Sequence, residues 1–259
     1  MICTNLSPFG EDLRSGALSS GFDLMERVDK AGFDGLEVNL QILQHPSARK
    51  LLDGLDYSRV SFHSNYLEFT LAASNRYVRE GCIRQLTDEI ALAGERGVRL
   101  LTFHPGGKGK GITREQSLDN LRASLEALRP KAEEAHVTLC LENMDDSPDR
   151  LCSAAEEIRR TLARLPWVPL TCDFAHLALT GADIGAFLDE FAPRIAHAHV
   201  SGALPGTSHG NVSLPMSAVD LRPHLARMAG REIRLVIENK SLPLALESRD
   251  ELRRIFRRG

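Results

Sequence analysis

Eight short runs rich in β-branched and large apolar residues recur along the chain, separated by stretches of helical spacing. The runs are residues 2–6 (ICTNL), 35–40 (GLEVNL), 59–64 (RVSFHS), 98–104 (VRLLTFH), 137–142 (VTLCLE), 169–173 (PLTCD), 195–200 (IAHAHV) and 233–238 (IRLVIE). A helix between two strands returns the chain to its starting edge, so successive strands pair in parallel. Eight such units without a break in composition predict an α/β chain folded as a closed (β/α)8 TIM barrel, one domain over residues 1–259. An open doubly wound sheet calls for G-x-G-x-x-G after the first strand, and SPFGEDLRSG lacks it. Helical signals fill the intervals. Thr113 and Gln116 have capping-box spacing ahead of Leu118, Leu121, Leu125 and Leu128, predicting a helix over 113–135. Val78, Cys82, Leu86, Ile90 and Ala93 form one stripe over 75–96, closed by Gly97. Shorter stripes predict helices over 20–31 and 149–165.

Charge and cysteine usage narrow the function classes. Lys plus Arg number 32 against 35 Asp plus Glu, a formal charge of −3, which disfavours a general nucleic-acid coat or a polybasic membrane binder. No apolar run approaches the ~18 residues of a membrane span, and MICTNLSPFG has neither a basic nor an apolar leader segment. Five cysteines, odd in number and without a CxxC, argue against a disulfide framework or a zinc finger. A cytoplasmic enzyme or small-molecule-binding protein is the expectation, with no membrane partner and a homo-oligomer left open.

The strand ends carry the chemistry. Six successive strands finish at or beside His63, His104, Glu142, Asp173, His199 and Glu238. Barrel enzymes keep their sites at this end of the strands. A lone histidine or glutamate there is usually a hydrogen-bonded rim residue. Six converging on one mouth need a cation among them, because crowded buried charge must be compensated. Mixed carboxylate and imidazole donors suit Zn2+ or Mn2+ better than Ca2+. His176, in D-F-A-H, and His209, in the loop after the seventh strand, extend the cluster. His197 lies two residues before His199, on the same inward face, and reads as a core or supporting histidine. Glu37 reads as a polar pocket wall or an outer hydrogen-bonding group. GGKGKGI (106–112) offers Lys108 and backbone N–H groups to an anionic part of a substrate, against the plainer reading of a solvated connector. His45, His136 and His224 fall in loop or helix contexts and receive no role.

AGFDGLEV (31–38), FHSNYL (62–67), FHPGG (103–107), LEN (141–143), CDFAH (172–176), HAHVSG (197–202) and VIEN (236–239) follow one another in an order that resembles the xylose isomerase-like TIM barrels, which include sugar phosphate isomerases/epimerases and, on a related branch, endonuclease IV. The resemblance covers nearly the whole chain. It implies a shared divalent-metal site at Glu142, Asp173, His199 and Glu238, with one ion, and a second where His63 and His104 join Glu142. The third site of the endonuclease branch is eroded, since Thr207-Ser208-His209 stands where an Asp-x-His pair is found.

Three functions follow from the resemblance. In the first, a sugar or sugar-phosphate isomerase/epimerase works through an enediolate, with Glu142 and Glu238 moving protons and His176, His209, Glu37 and Lys108 contacting a carbohydrate substrate. In the second, clustered metals cleave phosphodiesters of abasic DNA; the missing Asp, the net charge and the absence of Arg or Lys from NLQILQHP (39–46) weigh against nucleic acid. In the third, the barrel binds metal or a small molecule and its reaction has lapsed.

Overall fold

The computed structural model describes residues 1–44 and 48–257, so His45 and the last two residues of the basic tail lie outside the described residues. Eight strands form a closed parallel barrel in chain order, with β8 returning to β1. They are β1 (Ile2–Asn5), β2 (Gly35–Asn39), β3 (Val60–His63), β4 (Leu100–Phe103), β5 (Thr138–Glu142), β6 (Leu170–Asp173), β7 (Ile195–Val200) and β8 (Arg234–Ile237). The (β/α)8 prediction holds, each strand lying within a residue or two of its sequence pattern.

Among the described residues the helices are α1 (Gly10–Ser15), α2 (Gly21–Lys30), α3 (Arg76–Arg96), α4 (Arg114–Ala135), α5 (Ala155–Leu162), α6 (Phe174–Leu179), α7 (Ile184–Phe191), α8 (Arg222–Ala226) and α9 (Leu242–Arg257). Local chemistry sets their limits. Thr113 and Gln116 close a reciprocal capping box on α4, and Gly97, at φ 74°, ends α3 in the left-handed conformation. The helix expected over 149–165 is shorter. Asp149 and Cys152 take positive φ (66° and 59°), and Gly107 bridges Arg150, so this stretch folds as a loop over the barrel mouth before α5 begins.

The packing divides into two unlike cores. Outside the barrel, Leu36, Val38, Phe62, Leu101, Phe103, Leu139 and Leu141 meet the apolar faces of the helices, where Leu86, Ile90, Leu118, Leu121, Leu125 and Leu128 are fully buried. Each such side chain contributes about 1.5–3 kcal/mol of burial. Inside, register neighbours point the same way, and the sequence there is polar. Asn5 lies beside Glu37 and Glu37 beside Ser61; Asn39, His63, Thr102 and Cys140 follow one another, as do Glu142, Thr171, His197 and Arg234. Barrel interiors are ordinarily filled with Val, Ile and Leu. The outer core is thus apolar and the inner one polar. The five cysteines are buried and free.

Candidate metal centre

Donors arrive at one rim because the strands end there in register. Asp173 and His199 are paired neighbours on β6 and β7, Glu142 closes β5, and Glu238 follows β8. Glu142 is 1% exposed and sits at the centre. Its Oε2 lies 3.2 Å from His63 Nε2 and 3.0 Å from His104 Nε2, and its Oε1 lies 3.1 Å from His199 Nδ1. That same Nδ1 is 3.4 Å from Glu238 Oε2. Asp173 Oδ2 lies 3.4 Å from His209 Nε2 and 3.5 Å from His176 Nδ1. Among the described residues four overlapping groups have donor atoms mutually within 4.8 Å: Glu142, Asp173, His199 and Glu238; His63, His104 and Glu142; Asp173, His176 and His209; and, deeper in the barrel, Glu37, His197 and His199. Four ligands at about 2.0–2.2 Å around a tetrahedral ion stand roughly 3.3 Å apart, close to these spacings.

His63 and His199 hydrogen-bond to Glu142, while other donor atoms of the cluster have no aligned partner among the described residues. His63 Nδ1 donates to the Ser64 carbonyl at 2.8 Å, so Nε2, 3.2 Å from Glu142 Oε2, is the nitrogen that would serve an ion once its proton is displaced. Among the described residues, Asp173 Oδ2 and His209 Nε2 are buried with no aligned hydrogen-bond partner, although they lie 3.4 Å apart. Orphaned buried polar atoms are costly. A divalent ion would satisfy them, and the residues present fit one.

Two asparagines orient this array, and neither is marked as a metal donor by its residue type. Each follows a glutamate of the cluster. Asn143 Nδ2 donates to the Asp173 carbonyl, its Oδ1 accepts from the Asp173 N–H, and its own carbonyl accepts from His176 Nδ1. Asn239, fully buried, donates to the Gly210 and Val212 carbonyls and so fixes the loop that delivers His209. Gly202 serves the same loop. A Cβ there would lie 2.2 Å from the Ser213 carbonyl oxygen, so only glycine lets the two ends meet. The E-N pairs after β5 and β8 were the available signal.

Above the donors opens a cavity of about 250 Å³, lined by Asn5, Ser7, Glu37, Asn39, His63, Tyr66, His104, Glu142, Asp145, Arg150, His176, His209, Glu238 and Lys240 among others. His176, His209 and Glu37 are thus at or below it. Lys108 is not among its lining residues. Its backbone N–H is tied to the Asp149 carbonyl, and the cations that reach the cavity are Arg150 and Lys240, which the glycine-rich motif had masked. His136 caps α4, His224 lies in α8, and His197 is fully buried inside the barrel.

The charges are strongly coupled. Burial opposes ionisation of Glu142, but His199 and His104 hold its carboxyl well below the usual range. Burial raises Glu238. Burial also opposes ionisation of Asp173, which the charges of His176 and His209 nevertheless hold at about 2. At His63 burial favours the neutral ring, yet Glu142 raises the pKa from 6.5 to about 9; at His209 Asp173 likewise overcomes burial and raises it to about 9. At His104 burial prevails and lowers the pKa to about 4. For protein stripped of metal, the raised histidines stabilise the fold fully below pH 6.5 and lose that contribution as pH rises through 9. Metal competes with those protons, so its binding strengthens over the same window. The gap between the Tm values of zinc-loaded and stripped protein should therefore widen from pH 6.5 to 9, as followed by calorimetry. A constant or shrinking gap would contradict the donor assignment.

The sequence profile described as xylose isomerase-like TIM barrel matches residues 25–238. The chain belongs to this family. An uncharacterized protein of Methanocaldococcus jannaschii is 29% identical over 170 residues, 64% of this chain and 60% of that protein. A probable endonuclease 4 of Aquifex aeolicus is 34% identical over 84 residues, 32% of this chain and 29% of that one. The matches thus span 60% or less of the length of these curated relatives. A D-tagatose 3-epimerase-like protein superposes with TM-score 0.81 at 18% identity, covering 99% of this chain and 97% of its own, which establishes likeness of fold. Among the described residues no helix is long and apolar enough to cross a membrane.

Proposed function

We propose that the chain is a divalent-metal-dependent isomerase or epimerase acting on a sugar or sugar phosphate through proton transfer beside a carbonyl. The observation that carries this reading is the set Glu142, Asp173, His199 and Glu238 at the floor of a cavity of about 250 Å³, near the small end of ligand pockets and suited to a single monosaccharide. Zn2+ or Mn2+ suits the donors, and when bound supplies Lewis-acid polarisation of a carbonyl.

The chain's own residues divide the remaining work. Glu238 lines the cavity, and its nearest hydrogen bond, from Asn5 Nδ2, is long at 3.5 Å. Its raised pKa and accessible carboxyl suit it to taking and returning a proton. Glu142 has both oxygens engaged by three imidazoles, which favours a holding role over proton transfer. His176 has its Nδ1 proton committed to the Asn143 carbonyl, leaving an Nε2 lone pair to accept a hydrogen bond from a substrate hydroxyl or to ligate an ion. Arg150 and Lys240 sit where an anionic substituent would lie.

Ketoses and ketose phosphates incubated in D2O with Mn2+ test the reading. Deuterium should enter at the carbon beside the carbonyl, and Glu238→Gln should slow that exchange about 10²–10⁴-fold. Exchange at the full rate in this variant would remove Glu238 from the proton-transfer step.

A second reading has its own observation. The His63–His104–Glu142 and Asp173–His176–His209 groups would give a multinuclear centre, which suits phosphoester cleavage, and a probable endonuclease 4 is among the relatives. The cavity disfavours a duplex substrate, because Arg150 is already paired with Asp145 at 3.1 Å and the chain's net charge is −3. Cleavage of an abasic-site duplex with two or more bound ions would favour this second reading.

A further inference from the structure

Glu37 is 1% exposed in the interior of the barrel, one level beneath the rim. β2 places it there by simple alternation. Leu36 and Val38 face the helices, while Glu37 shares its face with Asn5 and Ser61. A carboxylate in that position costs several kcal/mol unless it is paired. Two imidazoles answer it, one for each oxygen: Oε2 lies 2.7 Å from His197 Nε2, and Oε1 lies 3.1 Å from His199 Nε2. Ser61 Oγ approaches Oε2 at 3.4 Å.

We infer that Glu37 is a positioning residue that selects which nitrogen His199 offers to a divalent ion. The inference rests on the reading of His199 as a metal ligand. A carboxylate only accepts, so a nitrogen facing it carries the proton. Both nitrogens of His199 face carboxylates, but the candidate metal donors Glu142 and Glu238 lie on the Nδ1 side, at 3.1 and 3.4 Å, so an ion there takes the place of the Nδ1 proton and leaves Nε2–H to Glu37. That Nε2 has no aligned hydrogen-bond partner among the described residues, and Glu37 Oε1 lies 3.1 Å from it. His197 gains a purpose on this account. It donates to the second oxygen and holds the carboxylate plane, which explains a fully buried histidine with an unpartnered Nδ1 that touches no substrate cavity. Carboxylates behind metal-bound imidazoles typically strengthen metal affinity about 10–100-fold.

Two measurements test this without recourse to turnover. In long-range 1H–15N spectra of zinc-loaded wild-type protein, His199 should carry its proton on Nε2 and show a metal-shifted Nδ1. Competition with a chromogenic chelator should give Glu37→Gln a Zn2+ affinity about 10–100-fold weaker than wild type, with the Tm of the stripped protein little changed. A structural role alone would lower Tm and leave the affinity and tautomer as they were. A proton on Nδ1, or equal affinity, overturns the positioning role while leaving the metal reading intact. Wild-type protein that binds no Zn2+ overturns both. Should Glu37→Gln fail to fold, the wild-type spectrum still decides.

Discussion

Glu142→Gln is expected to lower turnover at least a thousandfold and to strip the centre of its metal while leaving the protein folded. Glu142 is the residue shared by two of the donor groups, with His63 and His104 at one oxygen and His199 at the other. Gln keeps the shape and can still donate to one imidazole. It removes the negative charge that binds the group together, and it can no longer present two acceptor oxygens to ions on either side. The loss of one preorganised electrostatic partner alone costs about 10²–10³ in rate, and the loss of the ion adds its own factor. Far-ultraviolet circular dichroism, metal analysis and the exchange assay on one preparation check the three parts. Retained metal with retained turnover would show that Glu142 is only a core residue.

Asp173→Asn carries the second large effect, and it separates folding from function. Asp173 does two jobs with two oxygens. Oδ1 accepts from the His176 N–H at the start of α6, while Oδ2 is buried without an aligned partner beside His176 and His209. Asn keeps the oxygen that caps the helix and replaces the other with an amide that cannot ligate. Removing the negative charge forfeits the attraction of His176 and His209 that holds this carboxyl at about 2. The stripped variant should therefore melt modestly below stripped wild type at neutral pH, while Zn2+ affinity falls at least about 100-fold. Asp173→Ala, which forfeits the cap as well, should lose about 1 kcal/mol of stability besides. Asn that melts far below wild type and retains its zinc would reverse the assignment of the two oxygens.

The alternation of strands and helices made the barrel legible, because outward residues such as Phe62, Leu101 and Leu141 had to be apolar and the strand ends were punctuated by chemistry. His63, Glu142, Asp173 and Glu238 announced themselves in the same way, by residue type at a predictable end of each strand. What stayed hidden depends on three-dimensional partners. Asn143 and Asn239 act through backbone carbonyls of loops distant in the chain, which no spacing rule reports. Arg150 reaches the cavity because Asp149 and Cys152 adopt positive φ, a loop where periodicity suggested helix. Lys108 was attractive for its glycine-rich setting, but Gly107 pairs with Arg150 and the arginine takes the place at the cavity. Glu37 was readable as polar and inward, but its two histidine partners come from β7, on the far side of the barrel.

Anomalous diffraction at the zinc edge, from crystals grown with Zn2+, tests the central claim most directly. The account predicts a peak about 2.0–2.2 Å from donor atoms of Glu142, Asp173, His199 and Glu238, with any further peak beside His63 and His104. Zinc seen only on the protein surface, with those four side chains bonded to one another instead, would contradict it.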